Sequence, residues 1–130
     1  MRANGIHHLA VCVRDLARAE RFYREILGLP LLRRWEDAAG RPRAIWLDLG
    51  DGAFLAVERA DAGGPLRTDD APGHHCLALR IPRADRERWR ARLAAGGHPV
   101  ERESDYTLYL RDPEGALVAL SHHPEPAEPP

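Results

Sequence analysis

Ala44-Ile45-Trp46-Leu47-Asp48-Leu49-Gly50-Asp51-Gly52-Ala53-Phe54-Leu55-Ala56-Val57-Glu58 aligns without gaps on Thr107-Leu108-Tyr109-Leu110-Arg111-Asp112-Pro113-Glu114-Gly115-Ala116-Leu117-Val118-Ala119-Leu120-Ser121. Size and polarity match at most positions. Each copy is two apolar runs around a turn, Gly50-Asp51-Gly52 in one and Pro113-Glu114-Gly115 in the other, and so reads as a hairpin. Further upstream, His8-Leu9-Ala10-Val11-Cys12-Val13 matches Cys76-Leu77-Ala78-Leu79-Arg80-Ile81, and a charged amphipathic segment follows each. The chain is therefore one unit written twice, and a repeat constrains architecture more than local propensity does. Each half reads as strand, helix, a less regular strand, then a hairpin.

The first helix begins at an Asp15 N-cap and carries Leu16, Ala19, Tyr23, Ile26 and Leu27 on one stripe. Gly28 stands just past its end and Pro30 beyond. The second is expected from about Ala84 to Ala95, stopping at Gly96-Gly97. Its stripe is thinner, chiefly Trp89 and Leu93, and Arg83 stands where an N-cap would be. These signals divide the chain into a module of about residues 5–58, a Gly-, Pro-, Asp- and Thr-rich linker over 59–72, a second module of about 73–121, and a Pro-rich tail over 122–130 expected to fray.

Length and composition agree with one soluble globular domain: 130 residues, 44% hydrophobic, 30% charged and a formal net charge of −1. A sequence pI near 6.7 gives no broad positive field for nucleic acid or an anionic membrane. No apolar run approaches the roughly 20 residues of a spanning helix. Met1-Arg2-Ala3-Asn4-Gly5 leads straight into a strand-like segment without a signal peptide, so a cytoplasmic setting is expected. Cys12 and Cys76 are too few for a disulfide framework and read as thiols. All 19 basic residues are Arg, which excludes Schiff-base lysine chemistry. Six of the seven histidines fall in three adjacent pairs, His7-His8, His74-His75 and His122-His123.

A strand aims only one member of such a pair into a given face. Leu9, Val11 and Val13, with Leu77, Leu79 and Ile81, form the bulky sets that pack under the helices. The alternate face then carries His8, Cys12, Trp46 and Glu58 from one half, and His74, Cys76, Arg80 and Tyr109 from the other. Phe54 and Ala56, with Leu117 and Ala119, share that phase. The equally apolar Ile45, Leu47 and Leu49 leave the phase of the third strand less secure. A mixed apolar wall with a few polar groups suits a small organic ligand, and a dimer interface uses the same composition. The candidate ligand-binding residues are accordingly His8, Trp46, Glu58, His74, Cys76, Arg80 and Tyr109, with Trp46 and Tyr109 placed to flank a planar molecule.

His7-His8-Leu9-Ala10-Val11, Val13-Arg14-Asp15-Leu16, Phe22-Tyr23-Arg24-Glu25-Ile26-Leu27-Gly28-Leu29 and Tyr109-Leu110-Arg111-Asp112-Pro113-Glu114-Gly115 resemble the vicinal oxygen chelate superfamily. That group includes glyoxalase I, extradiol dioxygenases, fosfomycin-resistance thiol transferases and bleomycin-resistance proteins. The resemblance spans about residues 5–121. It implies an α+β fold of two βαβββ modules whose mixed sheets curl around a shared cavity, commonly within a homodimer.

Metal enzymes of this group place ligands at the start of each module's first strand and the middle of its last. Carried over, these points are His8, Ala56, Cys76 and Ala119. Alanine has no donor atom, so only His8 keeps the expected histidine. Catalytic zinc sites normally need three protein ligands, and oxygen-rich metal sites need carboxylates. The resemblance thus points to a protein that binds a small organic molecule without the family's usual metal and with no cofactor. A metal-dependent lyase, dioxygenase or thiol transferase is the first alternative, with divalent metal on displaced ligands such as Glu58, His74 or His123. A two-residue step displaces a ligand by roughly 6.5 Å. A non-catalytic antibiotic-sequestering protein is the second alternative. A His8–Cys76 activated thiolate, and carboxylate or phosphate recognition by Arg80 or Arg111, are weaker constellations.

Overall fold

The computed structural model describes residues 1–61 and 63–128. Ala62 of the expected linker, and Pro129 and Pro130 of the expected tail, lie outside them. Contacts divide the chain into two compact units, Met1–Gly64 and Pro65–Pro130.

In the first unit, β1 (His8–Val13) leads to α1 (Leu16–Glu20), a π-helical segment (Arg21–Ile26), β2 (Leu31–Glu36), β3 (Pro42–Gly50) and β4 (Ala53–Arg59). The sheet order is β1-β4-β3-β2, with β1 parallel to β4 and the other pairs antiparallel. The helix starts where the sequence places it, Asp15 Oδ1 accepting from the Arg18 amide at 3.0 Å. Its second half departs from regular α geometry: the Leu27 amide donates to the Phe22 carbonyl at 2.9 Å, five residues back. The wider turn brings two adjacent aromatics inward, so Phe22, absent from the expected stripe, is as buried as Tyr23. Gly28 then takes φ +77 and ends the segment. Below α1 lie the buried Ile45, Leu47, Leu55 and Val57 of β3 and β4. This settles the phase of the third strand. It leaves His8, Ala10, Cys12, Trp46, Asp48, Phe54, Ala56 and Glu58 on the other face, as the register pairs His8↔Phe54, Ala10↔Ala56, Cys12↔Glu58, Trp46↔Ala56 and Asp48↔Phe54 require.

The second unit repeats the plan: β5 (Leu77–Arg80), a 3₁₀ turn (Arg83–Asp85), α2 (Arg86–Ala95), β6 (Arg102–Glu103), β7 (Thr107–Arg111) and β8 (Leu117–Ser121), in the order β5-β8-β7-β6. Pro82 and the 3₁₀ turn replace a side-chain N-cap, so regular α-helix begins two residues after Ala84. Leu93, Leu108, Leu110, Val118 and Leu120 are buried. The opposite phase carries Ala78, Arg102, Tyr109, Arg111, Ala119 and Ser121. Tyr109 pairs with Ala119 as Trp46 pairs with Ala56, so the self-similarity seen in sequence is also a similarity of register.

The segment expected to fray is partly held. The His122 amide donates to the Tyr106 carbonyl at 2.9 Å and the Ala127 amide to that of Asp105 at 2.6 Å. His122 itself is buried. Among the described residues no helix is long and apolar enough to cross a membrane.

Candidate functional site

On the open face of the first unit, cross-strand neighbours stack into a continuous aromatic bank. The His8 ring lies nearly parallel to Phe54 (centroids 4.9 Å apart, planes at 11°). Phe54 stacks on Trp46 at 4.4 Å, and Trp46 meets Trp35 at 5.2 Å. Arg33 closes the series, its guanidinium carbon 3.6 Å from the centre of a Trp35 ring. At the opposite end His7 sets its edge against both His8 and Phe54, and the two histidine Nδ1 atoms are 2.8 Å apart. One of these rings must therefore donate and the other accept. Trp35 Nε1 is buried without a hydrogen-bond partner among the described residues, an uncompensated donor beside the bank.

Sequence reasoning placed His8 and Trp46 on this face and undervalued Phe54, which joins them. Its signal was there, since Phe54 shares the alternation of Ala56 and Glu58. Trp35 and Arg33 were missed because β2 is irregular: its register against β3 shifts at two points, so simple alternation does not carry along it. Glu58 lies four residues from Phe54 along β4, about 13 Å at strand rise, and is not brought to His8.

In the second unit Tyr109 occupies the position equivalent to Trp46. The Arg102 guanidinium carbon sits 3.9 Å from its ring centre. Arg111, two residues further along β7, is held by two carboxylates. It grips Asp69 through both terminal nitrogens (2.7 and 2.8 Å) and Glu101 through Nε (2.8 Å). These partners hold the Arg111 guanidinium pKa well above its usual value, and Arg111 holds the Asp69 and Glu101 carboxyls below theirs. Cys76, immediately before β5, is exposed as a residue, yet desolvation pushes its thiol pKa upward against the pull of Arg102 and Arg111. That favours the thiol over the thiolate and argues against an activated nucleophile. His74 is exposed in the segment before β5, and Arg80 is exposed at its end, opposite Ser121. Of the third histidine pair, His123 sets its ring against Tyr106 at 5.0 Å, and His122 serves the interior.

The family's metal does not fit the donors at these points. Ala56 and Ala119 are 3% and 1% exposed, so they are filled positions with no donor atom. The His8 ring is stacked on Phe54 and engaged by His7. Among the described residues no three His, Cys, Asp or Glu side chains gather as a metal-binding group.

The fold and these positions define a glyoxalase-type α+β protein. The Glyoxalase/Bleomycin resistance protein/Dioxygenase superfamily profile matches residues 5–120, and the chain belongs to that family, the vicinal oxygen chelate superfamily. A glyoxalase/dioxygenase from Nostoc punctiforme has a similar crystal structure (TM-score 0.77, 21% identity, covering 93% of this chain and 92% of that one). So does a lactoylglutathione lyase from Agrobacterium tumefaciens (TM-score 0.68, 25% identity, 95% and 96%). A third is a point mutant of the genomically encoded fosfomycin resistance protein FosX from Listeria monocytogenes, complexed with Mn(II) and a dihydroxypropylphosphonic acid (TM-score 0.72, 17% identity, 93% and 93%). A search of curated protein sequences gave no significant match.

Proposed function

We propose that each unit of this chain presents, on the sheet face that carries Trp46 or Tyr109, a binding surface for a small, flat organic molecule, and that the chain binds it without the metal site its family commonly uses. The observation that carries this reading is the bank His8–Phe54–Trp46–Trp35, set around an alanine where a metal ligand would stand. Trp35, Trp46 and Phe54 are half-buried and His8 is exposed, so part of the ring surface of the bank stays available to a ligand. Aromatic walls bind conjugated ligands by offset stacking, worth about 0.5–1.5 kcal/mol per ring pair beyond area burial. The FosX relative was crystallised with Mn(II), but the donor set here is different. A displaced site drawing on Glu58 would have to bridge about 13 Å to His8, several times a metal–ligand bond.

Metal analysis of protein purified without a histidine tag, followed by thermal-shift screening with flat aromatic and conjugated molecules, tests this reading. Less than stoichiometric metal, and ligand shifts that shrink in Trp46→Ala and Phe54→Ala, are expected. Stoichiometric divalent metal that is lost in His8→Ala would overturn the metal-free part. Shifts indifferent to both aromatic substitutions would overturn the assigned wall.

A further inference from the structure

We infer that Arg102 and Arg111, on the Tyr109 face of the second unit, form a recognition site for the carboxylate of a flat organic acid, and that Asp69 is its internal occupant. The inference rests on the ligand-binding reading above and names the class of ligand.

Two observations carry it independently. The first is that Arg102 makes no ion pair or hydrogen bond through its guanidinium among the described residues, although most arginines around it do. Arg86 and Arg90 share Glu103, Arg88 takes Asp85, and Arg111 takes Asp69 and Glu101. Arg102 instead lies over the Tyr109 ring. The same arrangement recurs in the first unit. Arg33 stands opposite Trp46 in register as Arg102 stands opposite Tyr109, and it too lies on an aromatic ring, that of Trp35. A guanidinium resting on a ring keeps its donors directed outward in the plane, where a carboxylate can take two of them.

The second observation is the way Arg111 is occupied. Asp69 belongs to a stretch with neither helix nor strand, its side chain is 56% exposed, and it reaches Arg111 across 42 residues of sequence with a two-point grip. Glu101, by contrast, immediately precedes β6 and is tied to β7, its amide bonded to the Tyr109 carbonyl at 2.8 Å. Asp69 is therefore the replaceable partner. A ligand carboxylate entering its place makes the same two bonds to Arg111 and meets the outward donors of Arg102, while the ring attached to it lies beside Tyr109. His75 and Arg102 add to the positive field at Asp69. A tethered carboxylate competes at an effective concentration of about millimolar, so the free site binds acids more tightly than the occupied one.

The test uses the full chain, with benzoate and its uncharged counterpart benzamide as probes, read by ligand-observed NMR titration. Asp69→Asn is expected to tighten benzoate binding about tenfold over the unsubstituted protein and to leave benzamide unchanged. Adding Arg102→Gln should abolish the gain. Asp70→Asn removes the same charge one residue away and should reproduce none of it. An unchanged benzoate affinity in Asp69→Asn, an equal gain in Asp70→Asn, or a gain that survives Arg102→Gln would overturn the inference. Benzamide binding as well as benzoate would overturn the acid assignment alone and leave the aromatic-ligand reading standing. Failure of every flat aromatic probe with both proteins would overturn the two together.

Discussion

Arg86 Nη1 donates to His122 Nε2 at 2.8 Å in the interior of the second unit, and the imidazole donates its own Nδ1 hydrogen to the Glu125 carbonyl. The other terminal nitrogen of Arg86 reaches Glu103 and the Ser104 carbonyl, each at 2.9 Å. One buried guanidinium thus ties the start of α2 to the β6–β7 turn and to the chain after β8. Arg86→Ala leaves three acceptors short of a donor, one of them a backbone carbonyl, and should cost about 2–4 kcal/mol. Urea denaturation measures it. A loss under about 1 kcal/mol would show that water replaces the arginine.

Trp35→Phe should behave in the opposite sense. Its Nε1 is buried without a partner among the described residues, so removing the N–H removes a desolvation cost of about 1–3 kcal/mol while giving up part of a ring. The net expectation is a melting temperature unchanged or slightly raised. A clear fall would mean that the indole hydrogen has a partner in solution.

Ala119→Glu restores a carboxylate at a point where the family's metal enzymes place a ligand. At 1% exposure, opposite Tyr109, the longer side chain has no room and its charge is desolvated, so the variant should lose about 2–5 kcal/mol. Melting curves with and without Mn(II) or Zn(II) decide the matter. Full recovery on adding metal would show that the surrounding scaffold still supports a site.

Acid should destabilise the chain from below about pH 4.5. The Glu20 carboxyl is held below its ordinary value by Arg34 and then Arg24, and Glu103 by Arg90 and then Arg86. Asp69 and Glu101 are lowered by Arg111, and Asp37 by the Arg41 amide and the Arg59 guanidinium. Groups lowered on folding contribute their full stabilisation above their unfolded values of 3.8 and 4.5 and lose it as pH falls through the lower folded ones. Urea midpoints should therefore be flat, as far as these groups are concerned, from about pH 7 to 5 and drop between about pH 4.5 and 3. Added salt should shrink the drop, because most of these pairs are exposed.

The fold was legible because Ile45, Leu47, Leu55 and Val57, and their counterparts 63 positions on, obey a period of two that only one burial pattern satisfies. The Asp15 cap and Gly28 stop were legible for similarly local reasons. The π-helical turn was not, since nothing in Arg21–Ile26 distinguishes a five-residue hydrogen-bond step from a four-residue one until the sheet demands both aromatics. On the sheet faces, phase placed His8 and Trp46 away from the helix of the first unit and Tyr109 at the equivalent register of the second. It did not reveal that Arg111 is already occupied by Asp69, because a partner 42 residues away in an irregular stretch leaves no periodic trace. Nor did the three histidine pairs announce that His122 is an interior acceptor while His123 lies outside.

The equal register of Trp46↔Ala56 and Tyr109↔Ala119 has an evolutionary corollary. A duplicated scaffold holds two homologous positions for every specificity-bearing side chain, so one copy is free to drift while its twin maintains the old chemistry. Trp46 and Tyr109 have already diverged in ring type, and Asp48 and Arg111 in sign of charge. Directed evolution on this chain would do best to diversify one half at a time, leaving the other as an internal reference for folding.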